Sequence, residues 1–203
     1  MIDISNILGK KEGLHLEAKS AKGGFPDSFW ESYSAFANTD GGVILLGVEE
    51  KPDHSLYVTG GLTDAEKMKN DFWNMVNNRQ KVSHNIVTNS MVYVVQIDGK
   101  SILVVEVPRA ERTIRPVYKG QDPRNGTFRR WNEGDHLCSV EEVGSILRDA
   151  SFSALDATPI KDMDMSVFCE DTINGYRNLF KSTNPNHQWN KIENEMFLRH
   201  LNA

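Results

Sequence analysis

The sequence predicts an α+β protein: a mixed, largely antiparallel sheet packed against helices, followed by a helical C-terminal extension. Three observations carry this. Phe36-Ala-Asn-Thr-Asp-Gly-Gly-Val-Ile-Leu-Leu-Gly-Val48 runs from a helix end through a tight turn into an apolar strand. Asp98-Gly99 separates two apolar runs, residues 91–97 and 100–107, and such a two-residue loop is a strong hairpin signal. Capping-box spacings recur at Ser28/Glu31, Thr63/Glu66 and Ser139/Glu142, each ahead of an apolar helical period.

Taken in order, residues 13–19 alternate. Leu14, Leu16 and Ala18 share one face and His15, Glu17 and Lys19 the other, as in a half-buried strand. A helix follows Pro26, with Phe29, Tyr33, Phe36 and Ala37 on its apolar side. Asn38 to Gly42 close that helix and lead into a strand at 43–48, whose unbroken apolar run suits burial on both faces. Met68, Phe72, Met75 and Val76 mark the next helix. Trp30 and Trp73 are expected in the core. After the hairpin, short extended pieces at 116–118 and 127–130 are expected to join the same sheet. Val140, Val143, Ile146 and Leu147 mark one side of a further helix.

Composition changes after Arg148. The acidic, Pro159-containing stretch 156–164 reads as a linker. Helices are expected near 171–181 and 191–201, the second capped by Asn190 and Glu193. This gives a domain at 1–150 and a linker with helical extension at 151–203. Ending directly after an apolar helix, the sequence is expected to be a piece of a longer protein with a further C-terminal domain.

The chain has 203 residues, 39% hydrophobic and 25% charged, as in ordinary globular proteins. Cys138 and Cys169 lack CxxC spacing and are expected to be reduced thiols. No signal peptide and no membrane-spanning apolar run is present, so the cytoplasm is the expected location and no membrane partner is expected. Net charge is −5, which argues against a general nucleic-acid coat. Its distribution is uneven. Residues 108–131 hold seven bases (Arg109, Arg112, Arg115, Lys119, Arg124, Arg129 and Arg130) against two acids, while residues 132–203 hold twelve acids against six bases. A basic segment on an acidic protein is a candidate phosphate-binding surface.

Arg109, Arg112 and Arg115 recur every third residue between Pro108 and Pro116, which exclude a regular helix. Tyr118, Phe128 and Trp131 interleave with the bases and offer faces for stacking. The competing reading is a solvated loop whose arginines pair with the acidic tail or a second subunit. The six histidines are scattered, and each reads as a surface or capping residue.

Four pieces of the chain resemble the Schlafen-type, Alba-like domain, often named a DNA-binding domain in bacterial regulators. They are Glu12 with Glu17-Ala-Lys19; Ser34 to Val48; Val107-Pro-Arg-Ala with Arg115-Pro-Val-Tyr118; and Gly126-Thr-Phe-Arg-Arg130 with Gly134-Asp135. The match covers roughly residues 10–150. The tail resembles the helical connector that in bacterial members precedes a divergent ATPase-like module. The resemblance implies the N-terminal nucleic-acid-binding module of a bacterial transcriptional regulator, acting on DNA or RNA without a cofactor. Lys19, Arg109, Arg112, Arg115, Lys119, Arg129 and Arg130 are the expected binding residues. A homodimer is favoured, because it would double a small basic surface.

Relatives that cut RNA carry three acids, which match Glu12, Glu17 and Glu50. These would be both the catalytic residues and the ligands of Mg²⁺ or Mn²⁺ in a metal-dependent endoribonuclease. Here Glu50 stands where those relatives have Asp, and Ala18 where they have Phe, so a binding module is expected rather than an enzyme. A protein-interaction module without nucleic acid is the third reading.

Overall fold

The computed structural model describes residues 13–58, 60–151, 165 and 168–201. The described residues fall into two compact units divided after residue 152. The first unit is built on a four-stranded sheet in the order β1-β2-β6-β5. β1 (Leu16–Lys19) runs parallel to β2 (Gly42–Leu46). β6 (Lys100–Val107) is antiparallel to both β2 and β5 (Val92–Ile97). The sheet is therefore mixed and mainly antiparallel, and the protein is α+β.

β2 is buried on both faces because its two faces meet different layers. Ile44 and Leu46 enter a core with α1 (Phe29–Asn38) and α2 (Ala65–Val76). Val43 and Leu45 enter a second core closed by the short hairpin of β3 (Val48–Glu50) and β4 (Leu56–Val58). The helix layer is largely aromatic. Phe29, Trp30 and Phe72 are buried, and Trp30 and Phe72 stack at 6.3 Å between centroids. Trp73 is only partly buried against that core.

The Asp98-Gly99 loop forms as predicted. Asp98 and Gly99 have φ of 51° and 71°, and Ile97 pairs with Lys100. Such a turn matches the twist of the strands it joins. It sets Val95 opposite Ile102 and Tyr93 opposite Val104.

Of the three capping boxes, one forms. Ser139 and Glu142 bond each other's backbone at the start of α4 (Val140–Asp149), which follows the short α3 (Pro123–Gly126). Ser28 has helical angles, φ −65° and ψ −13°, and makes no side-chain cap, because capping needs an extended residue there. α2 is capped one residue later than expected. The Asp64 carboxylate accepts from Lys67 N at 2.8 Å, a charge-assisted bond that Thr63 cannot make. On α4 only Val143 of the expected apolar side is buried, and Val140 and Leu147 are exposed.

The pieces expected to extend the main sheet do otherwise. β7 (Phe128–Trp131) and β8 (Gly134–Leu137) form a separate two-stranded ribbon. Tyr118 makes an isolated bridge to Thr127. The reason lies in α1. Its Ser34 hydroxyl accepts from Phe128 N at 2.9 Å, and Asn38 Nδ2 donates to Phe128 O at 3.0 Å. Side chains of a helix thus take backbone groups that a neighbouring strand would otherwise use.

In the second unit, α5 (Glu170–Thr183) and α6 (Asn194–His200) are joined through a 3-10 turn at Gln188–Lys191. Arg177 donates to Asn194 Oδ1 at 2.8 Å and Ile192 O at 2.6 Å, and its guanidinium lies over Phe197. The cap expected from Asn190 is not made, because its amide bonds back to Asn184 O at 2.8 Å. The linker predicted at 156–164 lies outside the described residues. Among those described, no helix is long and apolar enough to cross a membrane.

Candidate nucleic-acid interface

The basic segment is held in place by the C-terminal half of α1. Gly41 closes that helix with φ 76°, its N–H donating to Phe36 O at 3.0 Å. A Cβ there would sit 2.9 Å from Val107 O and 3.1 Å from Arg109 N, so glycine lets β6 and Pro108 pass close to the turn. Ala110 N then donates to Ala37 O at 2.8 Å. Farther along, Asn38 grips Val117 from both sides, donating to its carbonyl at 2.7 Å and accepting from its N–H at 2.9 Å. Ser34 donates to the same carbonyl at 2.8 Å, and Thr39 Oγ1 accepts from Arg130 N at 2.9 Å. Ser34 and Asn38 are themselves buried. They are one helical turn apart on the same helix, and that spacing is the signal sequence reading passed over. It treated Asn38 as a helix terminator.

Four of the seven predicted cations come together. Arg115 carries a guanidinium held below its ordinary range first by burial and then by the charges of Arg109, Arg129 and Arg112, with Asp149 opposing. It stays charged, because arginine starts far above neutral pH. The Arg115 Nε, like that of Arg130, is buried with no hydrogen-bond partner among the described residues. Two of Arg115's neighbours are weakly engaged. Arg109 meets Asp40 at 3.3 Å with both side chains more than half exposed, and Arg129 meets Glu142 at 3.9 Å. Exposed pairs of this kind are worth about 0–1 kcal/mol. Arg112 donates to the carbonyls of Asp149 and Ser151.

The other three serve the fold. The Arg130 side chain is 1% exposed, bonds Glu17 and Asp135 at 2.8 Å each, donates to Gly13 O and Leu16 O, and lies over the Phe36 ring. Burial works against its charge, but the Asp135 hydrogen bond and the two carboxylates outweigh it and raise its pKa. Arg130 therefore has no surface to give a phosphate. Lys19 pairs with Glu17 at 2.8 Å. Lys119 pairs with Asp27 at 2.7 Å and Glu31 at 2.9 Å.

The three predicted acids are not joined by the described residues. Glu12 lies outside them. Glu17 uses one oxygen on Lys19 and the other on Arg130. Glu50 meets His54 at 2.9 Å at the end of β3, whereas Glu17 pairs with Ile44 in the middle of β2. Among the described residues, no group of three or more His, Cys, Asp or Glu side chains is arranged to hold a metal. Cys138 is buried, which pushes its thiol up to about 11.

Residues 144–203 match a domain of unknown function, DUF8451. No curated protein matches the chain. Solved structures similar to it include two from bacteria. The N-terminal domain of a RecG-related protein from Nitrosomonas europaea aligns at 28% identity over 62% of this chain and 82% of that one, with a TM-score of 0.44. The DIP2311 protein from Corynebacterium diphtheriae aligns at 13% identity over 93% of this chain and 32% of that one, with a TM-score of 0.43. Residues 12–139, which carry the sheet, α1 and the basic segment it straps down, match the Schlafen, AlbA_2 family model, and the chain belongs to that family.

Proposed function

We propose that the first unit binds nucleic acid through phosphate contacts, as the N-terminal module of a bacterial transcriptional regulator working in the cytoplasm. One observation carries the reading. Arg109, Arg112 and Arg129 each lie within electrostatic reach of Arg115, and those three are exposed. Like charges held together cost free energy that a bound phosphate would relieve, and a guanidinium suits the bidentate grip phosphate offers. Such contacts orient the protein on a strand without reading its sequence. Binding needs no cofactor, and a homodimer would double the cationic surface.

The test is a titration of labelled DNA and RNA at two salt concentrations, with and without Mn²⁺. Arg112→Glu combined with Arg115→Glu should weaken binding and flatten its salt dependence by about one log–log slope unit for each lost duplex contact. Unchanged affinity and slope in a folded double variant would place the site elsewhere. The Mn²⁺ arm addresses the ribonuclease alternative through Glu12, Glu17 and Glu50. RNA cleavage that appears with Mn²⁺ and disappears in Glu50→Gln would favour it.

A further inference from the structure

The β7–β8 ribbon presents two faces of opposite character. Cross-strand register places Arg130 opposite Asp135 and Arg129 opposite His136. Successive strand residues point to opposite sides, so Arg130 and Asp135 turn inward while Arg129, Trp131 and His136 turn outward. Trp131 is 78% exposed, and its cross-strand neighbour is Gly134, which has no side chain to cover the indole. Beside it opens a cleft of about 190 Å³ lined by Arg129, Trp131, His136, Leu137, Cys138 and Glu142. An indole left in water contributes little to folding, yet its face can stack.

We propose that this cleft takes one unpaired base of a single-stranded nucleic acid, stacked on Trp131. The inference rests on the phosphate-binding reading and names the substrate class that reading leaves open. Three features support a base over other occupants. The volume falls below the roughly 300–1,000 Å³ of pockets for drug-sized ligands, and suits one ring system. Glu142 lies at the cleft wall, with one oxygen bound to Ser139 N at 2.8 Å and the other 3.9 Å from Arg129. A carboxylate there repels a phosphate and tolerates a neutral ring. Arg129 belongs both to this cleft and to the cluster around Arg115, so a backbone on the arginines brings its bases to the indole. A duplex keeps its bases stacked on one another and cannot offer one here, whereas a single strand can.

The experiment compares a fluorescein-labelled mixed-sequence strand of about twelve nucleotides with the duplex made from it. Wild type, Trp131→Ala, Trp131→Phe and the Arg112→Glu/Arg115→Glu variant are titrated by anisotropy. Trp131→Ala should weaken single-strand binding about tenfold or more, with duplex affinity, salt slope and melting temperature unchanged. Trp131→Phe, which keeps a ring, should recover much of that loss. Equal single-strand affinity in wild type and Trp131→Ala, with the arginine variant impaired, overturns the stacking site and leaves the phosphate reading standing. A wild type that binds neither strand nor duplex overturns both.

Discussion

On β7, Arg129 projects to solvent and meets Glu142 at 3.9 Å, while Arg130, the next residue, is 1% exposed and bonds Glu17 and Asp135 at 2.8 Å each. Sequence charge counts treat the two alike. Strand geometry assigns them to different regions: a polar interior between α1, β1 and the ribbon, and an outer face where Arg109, Arg112, Arg115 and Arg129 gather. The interior region is rich in mutual bonds, since Ser34, Asn38, Thr39 and Arg130 all satisfy backbone or carboxylate partners. The outer region has weak, exposed pairs. Buried polar groups must be satisfied for the fold to persist, while exposed cations are free to meet a ligand. On the function proposed above, the interior is scaffold and the outer face is the site.

The sharpest way to break that division is to remove the interior arginine. Arg130→Met keeps the stem that packs near Phe36 but leaves Glu17 and Asp135, both nearly buried, short of their cation. Removing one side of a buried ion pair costs about 3–5 kcal/mol. Lys19 and Ser32 still hold the two carboxylates, so a loss of about 3 kcal/mol is expected, read by urea denaturation. A loss below about 1 kcal/mol would move Arg130 into the class of exposed pairs and dissolve the contrast.

Asn38→Ala comes next. It strands the N–H and C=O of Val117 and the C=O of Phe128, though Ser34 still reaches the Val117 carbonyl. An unsatisfied buried group costs about 1–3 kcal/mol. A fall in stability of roughly 2 kcal/mol is expected. Nucleic-acid binding should fall as well, because the segment that carries Arg115 loses its strap. Intact binding in a destabilised Asn38→Ala would show that the arginines hold position without α1.

A third change probes the opposite end of the sheet from the basic segment. Gly99 has φ 71° and nothing within 4 Å of a built Cβ, so Gly99→Val meets no clash and pays only for its backbone angle. Left-handed backbone costs an L-residue about 1–2 kcal/mol, and more for a β-branched one. The melting temperature should drop while phosphate binding at the arginines stays unchanged once the protein is folded. An unshifted melting temperature would refute the turn geometry.

How far the sequence reaches can be judged from these same residues. β2 and the Asp98-Gly99 hairpin were legible because their signals are local, an apolar run and a dipeptide suited to left-handed backbone, though the run expected as one strand at 43–48 breaks at Gly47 (φ 94°) and Val48 opens β3 in another sheet. The basic segment was legible as a composition. The sorting of its charges was not, because Arg130 is buried by partners 113 and 5 positions away in the chain, Glu17 and Asp135, and nothing local marks it. The ribbon's separation from the main sheet was hidden for a similar reason. Ser34 and Asn38 look like ordinary polar residues until the fold brings Phe128 against them. Caps failed by one residue where a stronger acceptor stood beside the predicted one, as Asp64 does beside Thr63.

The smallest effect on stability completes the comparison. Arg129 is about half exposed and its only charged partner among the described residues is 3.9 Å away, so Arg129→Gln should change folding stability by less than about 0.5 kcal/mol. Its effect on binding should be out of proportion to that. Losing one phosphate contact lowers the salt slope for duplex DNA by about one, and the single strand should weaken further because Arg129 also borders the Trp131 cleft. The neighbouring Arg130→Met should show the reverse: a large stability loss, with the salt slope of the remaining folded protein unchanged. If Arg129→Gln instead unfolds the protein, or leaves the slope untouched, the two arginines differ only in burial, and the outer face loses its claim to be the site.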